Sequence, residues 1–497
     1  MQNFSQDWLF QQARINPHKT ALFVRAKTNT QAITFSELDS AVSALCQQWR
    51  ATGLQRGDHV GIIATSSLET VIHLFAALRS GVVLVLINAR LNVNEMNQQL
   101  RNANSQWLAP VGPPENLEHL KNLGHSILSY PKYIPKQMAE APQIDLDAPL
   151  LIVHTSGTSG TPKAAVIRVK NIFYSAIASA FRLGVLPEDI WLCAMPLYHV
   201  GGISILLRSC LYGTSVDLHP RFDIEAVNNA LCEDKISLIS LVPTMLYRLI
   251  EQGHPKQWSH LRVILLGGAA TPPQLIEKCK TYQLPIALTY GLTEAASQVA
   301  TTPINFPYQK MGTAGKPLMF TQVRVVNEHD EEVRPMQYGE IIVSGPTVIE
   351  SYYNADDANA VTFQVDQNGQ KWLHTGDIGY FDNDGDLWLV QRRSDLIISG
   401  GENIYPAEIE HVLRQHPSIQ DVCVVGIPDE EWGQRVAAAI VQRPNNNVSD
   451  EELIAFCRQH LAGYKIPRQF LSVNELPMTA SGKVQRGHVI KLFEIEQ

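Results

Sequence analysis

Apolar residues recur in two rhythms along the first half of the chain. Val60-Gly61-Ile62-Ile63-Ala64 is a short apolar run of the kind that forms a strand buried on both faces. Leu68, Val71, Ile72, Phe75 and Leu78 then fall on one helix face, and Gly81 suits the left-handed residue that ends a helix. Residues 82–87 read as the next buried strand, and helical spacing resumes near Asn94. This alternation predicts parallel strands covered by helices on both faces. Residues 112–148 are polar and proline-rich and are expected to cross the surface. The rhythm returns with a strand over 150–154, a helix over 170–183, and strands over 236–241 and 263–266.

The pattern changes after about residue 310. Short apolar runs at 323–326 and 339–344 stand between polar turns. Asp382-Asn383-Asp384-Gly385-Asp386 separates Gly379-Tyr380-Phe381 from Leu387-Trp388-Leu389-Val390, which predicts a hairpin. Beyond Arg392 a smaller unit is expected, with helices over 406–415 and 450–461 and a strand over 422–427. The reading is therefore α/β, with two domains, 1–393 and 394–497.

Composition narrows the function. The chain has 497 residues, 45% hydrophobic and 18% charged, enough apolar material for large cores. Lys plus Arg number 40 against 48 Asp plus Glu, a net charge of −8, so the cationic footprint of a nucleic-acid binder is missing. Seven cysteines without a CxxC pair point to a reducing compartment. The first 14 residues lack the basic and apolar regions of a secretory leader, and no window approaches 18 apolar residues. These features predict a cytoplasmic protein without stable membrane insertion. None of the 16 histidines sits in an HExxH, which argues against a zinc hydrolase.

Five stretches could carry chemistry. Thr155-Ser156-Gly157-Thr158-Ser159-Gly160-Thr161-Pro162-Lys163 follows a buried strand. Its glycines let backbone N–H groups approach an anion, its hydroxyls add donors, and Lys163 adds charge, which suits an oligophosphate. It is not a Walker A loop, and a flexible connector has the same composition. In Leu288-Thr289-Tyr290-Gly291-Leu292-Thr293-Glu294, an aromatic could stack on a base and a hydroxyl beside a carboxylate could hold phosphate and Mg²⁺. An ordinary strand entering a helix reads alike. Thr375-Gly376-Asp377 could take both ribose hydroxyls, or be a plain turn. The stretch from Arg392 through Ser394, Gly400 and Gly401 to Pro406 reads as a hinge and mobile loop, or as a linker. Lys483, after Ser481-Gly482, would by itself be a solvated lysine.

Taken together and in this order, the five stretches resemble the adenylate-forming superfamily of acyl-CoA ligases, adenylation domains and luciferases, over residues 5–490. The resemblance implies a large N-terminal domain of two α/β subdomains plus a β-barrel-like part, and a small mobile α+β C-terminal domain. It implies ATP, Mg²⁺ and coenzyme A as the partners of a small carboxylic acid, with a homodimer left open. Residues 155–163 match the phosphate loop. Tyr290 matches the aromatic beside adenine, with Gly267, Gly268 and Ala269 lining the base and Gly291 beside it. Thr293 and Glu294 match the phosphate and Mg²⁺ positions, with Thr158 a second candidate for the metal. Asp377 and Arg392 match the ribose pair, and Lys483 the lysine of the adenylation step. Ser394 stands where the family often has Asp or Lys at its hinge, and Gly400-Gly401 matches the loop along the pantetheine channel.

Further stretches, Met195-Pro196-Leu197-Tyr198-His199-Val200-Gly201-Gly202 and His219-Pro220-Arg221-Phe222 among them, are similar to the subgroup acting on o-succinylbenzoate in menaquinone and phylloquinone biosynthesis. That acid keeps a second carboxylate, so the pocket must tolerate another anion. The candidates to line it are His199, which is also a catalytic candidate beside Lys483 and Glu294, with Arg221, Gly268, Ser297 and Gln298. Other acyl- or aryl-CoA ligases, a carrier-loading adenylation enzyme and a non-catalytic nucleotide binder are the competing readings. Leu123-Gly124-His125-Ser126 faintly resembles a carrier's phosphopantetheine site, but lies inside the N-terminal domain.

Overall fold

The structure, a computed structural model, describes residues 4–26, 29–129, 142–155, 163–392, 395, 397–399, 402–404, 406–429, 433–444, 446, 448–461, 463–478 and 484–495. The chain divides into two compact units, residues 1–323 with 342–374, and residues 324–341 with 375–497.

The first unit holds two large sheets. One has six strands in the order Lys163–Arg168, Pro149–Thr155, Val83–Ile87, His59–Ile63, Trp107–Leu108 and Ser126–Ile127. All neighbours are parallel except Lys163–Arg168, which returns antiparallel to Pro149–Thr155. The central strands are buried on both faces, as their unbroken apolar runs require. Leu68–Ser80 forms the predicted helix, capped by Ser67 and closed by Gly81 at φ 76°. Residues 112–148 hold more than a surface crossing. A helix spans Pro114–Asn122, and short strands occur at Ser126–Ile127 and Gln143–Asp145. Leu120, its one fully buried side chain, anchors that helix, too little apolar spacing to register as a helix face.

The second sheet has nine strands, in the order Lys316–Pro317, Ser297–Thr301, Ile286–Leu292, Val263–Leu266, Leu238–Leu241, Ile190–Cys193, Ser215–Leu218, Thr20–Arg25 and Thr30–Thr34. Its centre is parallel and its margins antiparallel. The N-terminal helices are tied to one another by a buried ion cluster. Arg79 meets Asp7 at 2.7 Å and Asp39 at 2.5 Å, and donates to Ser43 at 2.8 Å. Asp7 also caps the helix Trp8–Ile15. Three helices therefore share one buried charge network, whose members satisfy one another in a site too dry for any of them alone.

The second unit contains the predicted hairpin. Asp377 stands opposite Arg392 and Phe381 opposite Leu387. Asp382 makes the turn, accepting from the backbone N–H of Asp384 and Asp386 at 3.0 Å and from Trp388 Nε1 at 2.7 Å. Further on, Ile419–Asp429 pairs antiparallel with Gly433–Gln442, which pairs parallel with Gln469–Ser472. Helices Pro406–Arg414, Asp450–Arg458 and Arg486–Ile495 accompany them. Among the described residues no ladder closes into a barrel, so the part expected to be barrel-like is open.

Candidate functional site

Four neighbouring parallel strands of the nine-stranded sheet end along one edge of the first unit. In open α/β sheets ligands bind outside the carboxyl ends of the strands, and several of the predicted residues of this unit lie at those ends. Gly267, Gly268 and Ala269 follow Val263–Leu266, and Tyr290 lies near the end of Ile286–Leu292, its ring buried. His199, beyond Ile190–Cys193, is the N-cap of the helix Val200–Tyr212. Its exposed ring stands edge-on to Tyr198 with centroids 4.6 Å apart. Gly291 is needed for its size. A Cβ there would lie 1.8 Å from the Ser297 carbonyl oxygen, where a bulge draws the two strands together.

The turn after Glu294 is strained and braced. Thr293–Ala295 forms one 3₁₀ turn, and Ala296 and Ser297 follow with φ of 51° and 113°, a region that costs side-chain-bearing residues energy. The Ala296 carbonyl accepts from Ser175 Oγ at 3.0 Å, and that hydroxyl accepts from Arg208 Nη2 at 3.1 Å. Arg208 is 2% exposed, and its Nε has no partner among the described residues. Among the described residues no carboxylate lies within ion-pair distance of it, and burial pushes its guanidinium below the ordinary arginine value. A buried cation without an anion is rare in a protein interior. Sequence reading missed it, because one arginine in an apolar helix shows nothing of its partners.

Two residues beyond Ala296, Gln298 is 2% exposed. Its Nε2 donates to Thr301 Oγ1 at 3.0 Å, while Oε1 has no partner. Ser297 is half-buried beside it. Arg221, by contrast, is not pocket lining. Its side chain is 77% exposed and lies 3.8 Å from Asp223, the cap of the next helix. Only its neighbour His219 is buried, 3.6 Å from Asp217. His125 is likewise structural, with Nε2 2.9 Å from Asn97 Oδ1 and Nδ1 3.2 Å from the Ser105 carbonyl.

The phosphate-loop stretch is held at both ends. Thr155 and Lys163 face each other across the ladder, and Thr155 Oγ1 donates to the Lys163 carbonyl at 3.4 Å. Lys163 Nζ stands 5.1 Å above the Tyr352 ring. Tyr352 Oη donates to Glu294 Oε1 at 2.8 Å, and burial beside that carboxylate pushes the phenol well above the usual tyrosine range. Among the described residues no other side chain holds the Glu294 carboxylate. Glu294 is half-buried, and a carboxylate of this kind fits a hard cation such as Mg²⁺. Ser156, Gly157, Thr158, Ser159, Gly160 and Thr161 lie outside the described residues.

In the second unit, Asp377 is 8% exposed, and its N–H donates to Thr375 Oγ1 at 3.0 Å. The backbone register sets it opposite Arg392. Ser394, Gly400, Gly401 and Lys483 lie outside the described residues. The chain on either side of 479–483 is fixed by an antiparallel bridge between Met478 and Val484. Arg486 anchors the following helix, meeting Glu410 at 2.7 Å and Asp395 at 3.4 Å.

The matching family models span most of the chain in order. Residues 9–353 match the AMP-binding enzyme model, and residues 408–483 the AMP-binding enzyme C-terminal domain. The chain belongs to the AMP-binding enzyme family. Among its relatives is the 2-succinylbenzoate–CoA ligase of Bacillus subtilis, 38% identical over 489 residues, with 97% of each chain covered. The enzyme of that description from Bacillus mycoides is 37% identical over 492 residues, with 98% of each covered. Among solved structures, the Bacillus subtilis o-succinylbenzoate CoA synthetase with its acyl-adenylate intermediate superimposes with a TM-score of 0.84 at 37% identity, covering 98% of both chains. The same synthetase with ATP and magnesium ion gives 0.84 at 36% identity, over 98% and 99%.

Proposed function

We propose that the chain is an AMP-forming acid–CoA ligase, and that its acid is o-succinylbenzoate. The observation that carries this is end-to-end likeness at 37–38% identity to ligases of that acid. The carboxylate is first joined to ATP, giving acyl-adenylate and pyrophosphate. The thiol of coenzyme A then takes the acyl group and AMP leaves. Residues 155–163 hold the β- and γ-phosphates; Gly267, Gly268, Ala269 and Tyr290 hold adenine; Asp377 and Arg392 hold the ribose. Thr293 contacts phosphate, and Glu294, with Thr158 as a further candidate, holds Mg²⁺, which neutralises phosphate charge when bound. Lys483 bridges carboxylate and α-phosphate as negative charge builds.

The second carboxylate of the acid needs positive charge or donors in a dry pocket. Arg208, bonded through Ser175 to the turn before Ser297, supplies an unneutralised cation. Turned by half a rotation, the Gln298 amide would accept from the Thr301 hydroxyl and leave its N–H donors free. His199 gates the pocket. We drop Arg221, whose exposure leaves it in solvent.

Lys483 and the thiol need the same space at different times, so a turn about Ser394, the boundary we place between residues 393 and 394, exchanges them and brings Gly400 and Gly401 to the thiol channel. A cytoplasmic location fits the seven unpaired cysteines, and among the described residues no helix is long and apolar enough to cross a membrane. The deciding experiment is carboxylate-dependent ATP–pyrophosphate exchange over o-succinylbenzoate, benzoate, succinate and medium-chain fatty acids, followed by coenzyme A. Exchange with o-succinylbenzoate alone, then AMP release, is expected. Exchange with another acid would keep the chemistry and discard the acid.

A further inference from the structure

The contact between Tyr352 and Glu294 is built from several directions. Residues 351–353 lie along the free edge of the strand Lys163–Arg168. Ala165 and Tyr352 are bridged antiparallel, Val166 N donates to the Ser351 carbonyl at 3.3 Å, and Tyr353 N donates to the Ala164 carbonyl at 2.8 Å. Asn359 then brackets the Tyr352 backbone. Its Oδ1 accepts from Tyr352 N at 2.7 Å and its Nδ2 donates to the Tyr352 carbonyl at 3.0 Å. From the other side, the Glu294 carbonyl accepts from Ile349 N at 2.8 Å. The phenol ring is 5% exposed and packs on Phe363, centroids 5.6 Å apart. A side chain fixed at backbone and ring has little freedom left, so its hydroxyl is a preorganised donor.

We infer that Tyr352 is a positioning residue: its hydroxyl holds Glu294 Oε1 so that the other oxygen faces the nucleotide's metal, and its ring receives the Lys163 ammonium at the foot of the phosphate stretch. The inference rests on the metal role proposed for Glu294. A carboxylate with one oxygen pinned pays less entropy when it takes a cation, and such outer partners typically tune metal affinity by about 10–100-fold. Tyr352 stands 58 residues from Glu294, so no local motif joins them.

The test is calorimetric binding of α,β-methylene-ATP, which cannot be cleaved at the adenylating bond, across a series of Mg²⁺ concentrations. Tyr352→Phe keeps the ring and removes the hydroxyl. It should raise the Mg²⁺ needed for half-maximal nucleotide affinity by about tenfold and leave metal-free nucleotide affinity and thermal stability near wild type. Glu294→Gln should shift the Mg²⁺ requirement too, and the double variant should add nothing further. A Tyr352→Phe protein with wild-type Mg²⁺ dependence, alongside a shifted Glu294→Gln, overturns the positioning role and spares the metal role. An unshifted Glu294→Gln removes the metal role and this inference with it. Loss of metal-free affinity in Tyr352→Phe, with unchanged Mg²⁺ dependence, would make the tyrosine merely structural.

Discussion

At the scale of single residues, the features that matter most are polar groups the fold has buried without full partners. Arg208 is the clearest. An isolated buried cation is destabilising, so Arg208→Met, of similar volume, should leave the melting temperature unchanged or raised. The same variant should raise the half-saturating o-succinylbenzoate concentration in pyrophosphate exchange by about tenfold or more, the worth of one charge-assisted contact. A monocarboxylate analogue should be unaffected. Equal losses for both acids would show that Arg208 only supports the turn at Ala296. Such residues divide the legible from the illegible. Tyr290, Glu294 and Asp377 stand in local strings with a recognisable order. Arg208 and Tyr352 act through partners tens of residues away, and Arg221 looked equally charged in sequence but faces solvent. Burial and partnership, not residue type, separate them.

At the scale of elements, the strand Pro149–Thr155 carries a liability next to the phosphate stretch. Among the described residues neither ring nitrogen of His154 has a partner, and burial pushes its imidazole down to about 4. His73, in the helix Leu68–Ser80, is pushed to about 4 by burial, against the opposing pull of the Glu69 carbonyl. Both are neutral when folded and protonate near 6.5 when unfolded. The unfolded chain therefore binds more protons between these values. Stability is complete above pH 6.5 and falls as pH drops towards 4, by up to about 3 kcal/mol for each histidine. His154→Leu should flatten this loss, so that the urea midpoint changes less between pH 7.5 and 5 than in wild type. An identical change in both proteins would refute the assignment. The long parallel strands and the helix closed by Gly81 were legible because their apolar periods are strong. The helix Pro114–Asn122 was not, since one buried leucine leaves no period to see.

At the scale of the whole molecule, the two proposed half-reactions share one site, and only the first needs Lys483. Lys483→Ala should slow adenylation by orders of magnitude and spare thioester formation from supplied acyl-adenylate, measured as separate half-reactions. Equal loss of both would contradict the exchange of positions about Ser394. Order of manufacture is a separate matter. The edge of Lys163–Arg168 is completed by residues 351–353, roughly 190 positions later in the chain. At about 5–20 residues per second of translation, that edge is made roughly 10–40 s before the segment that covers it. A bare strand edge invites pairing with another chain. That edge is therefore open to pairing with another chain until residues 351–353 have been made, and the segment that carries Tyr352 is also the one that covers it.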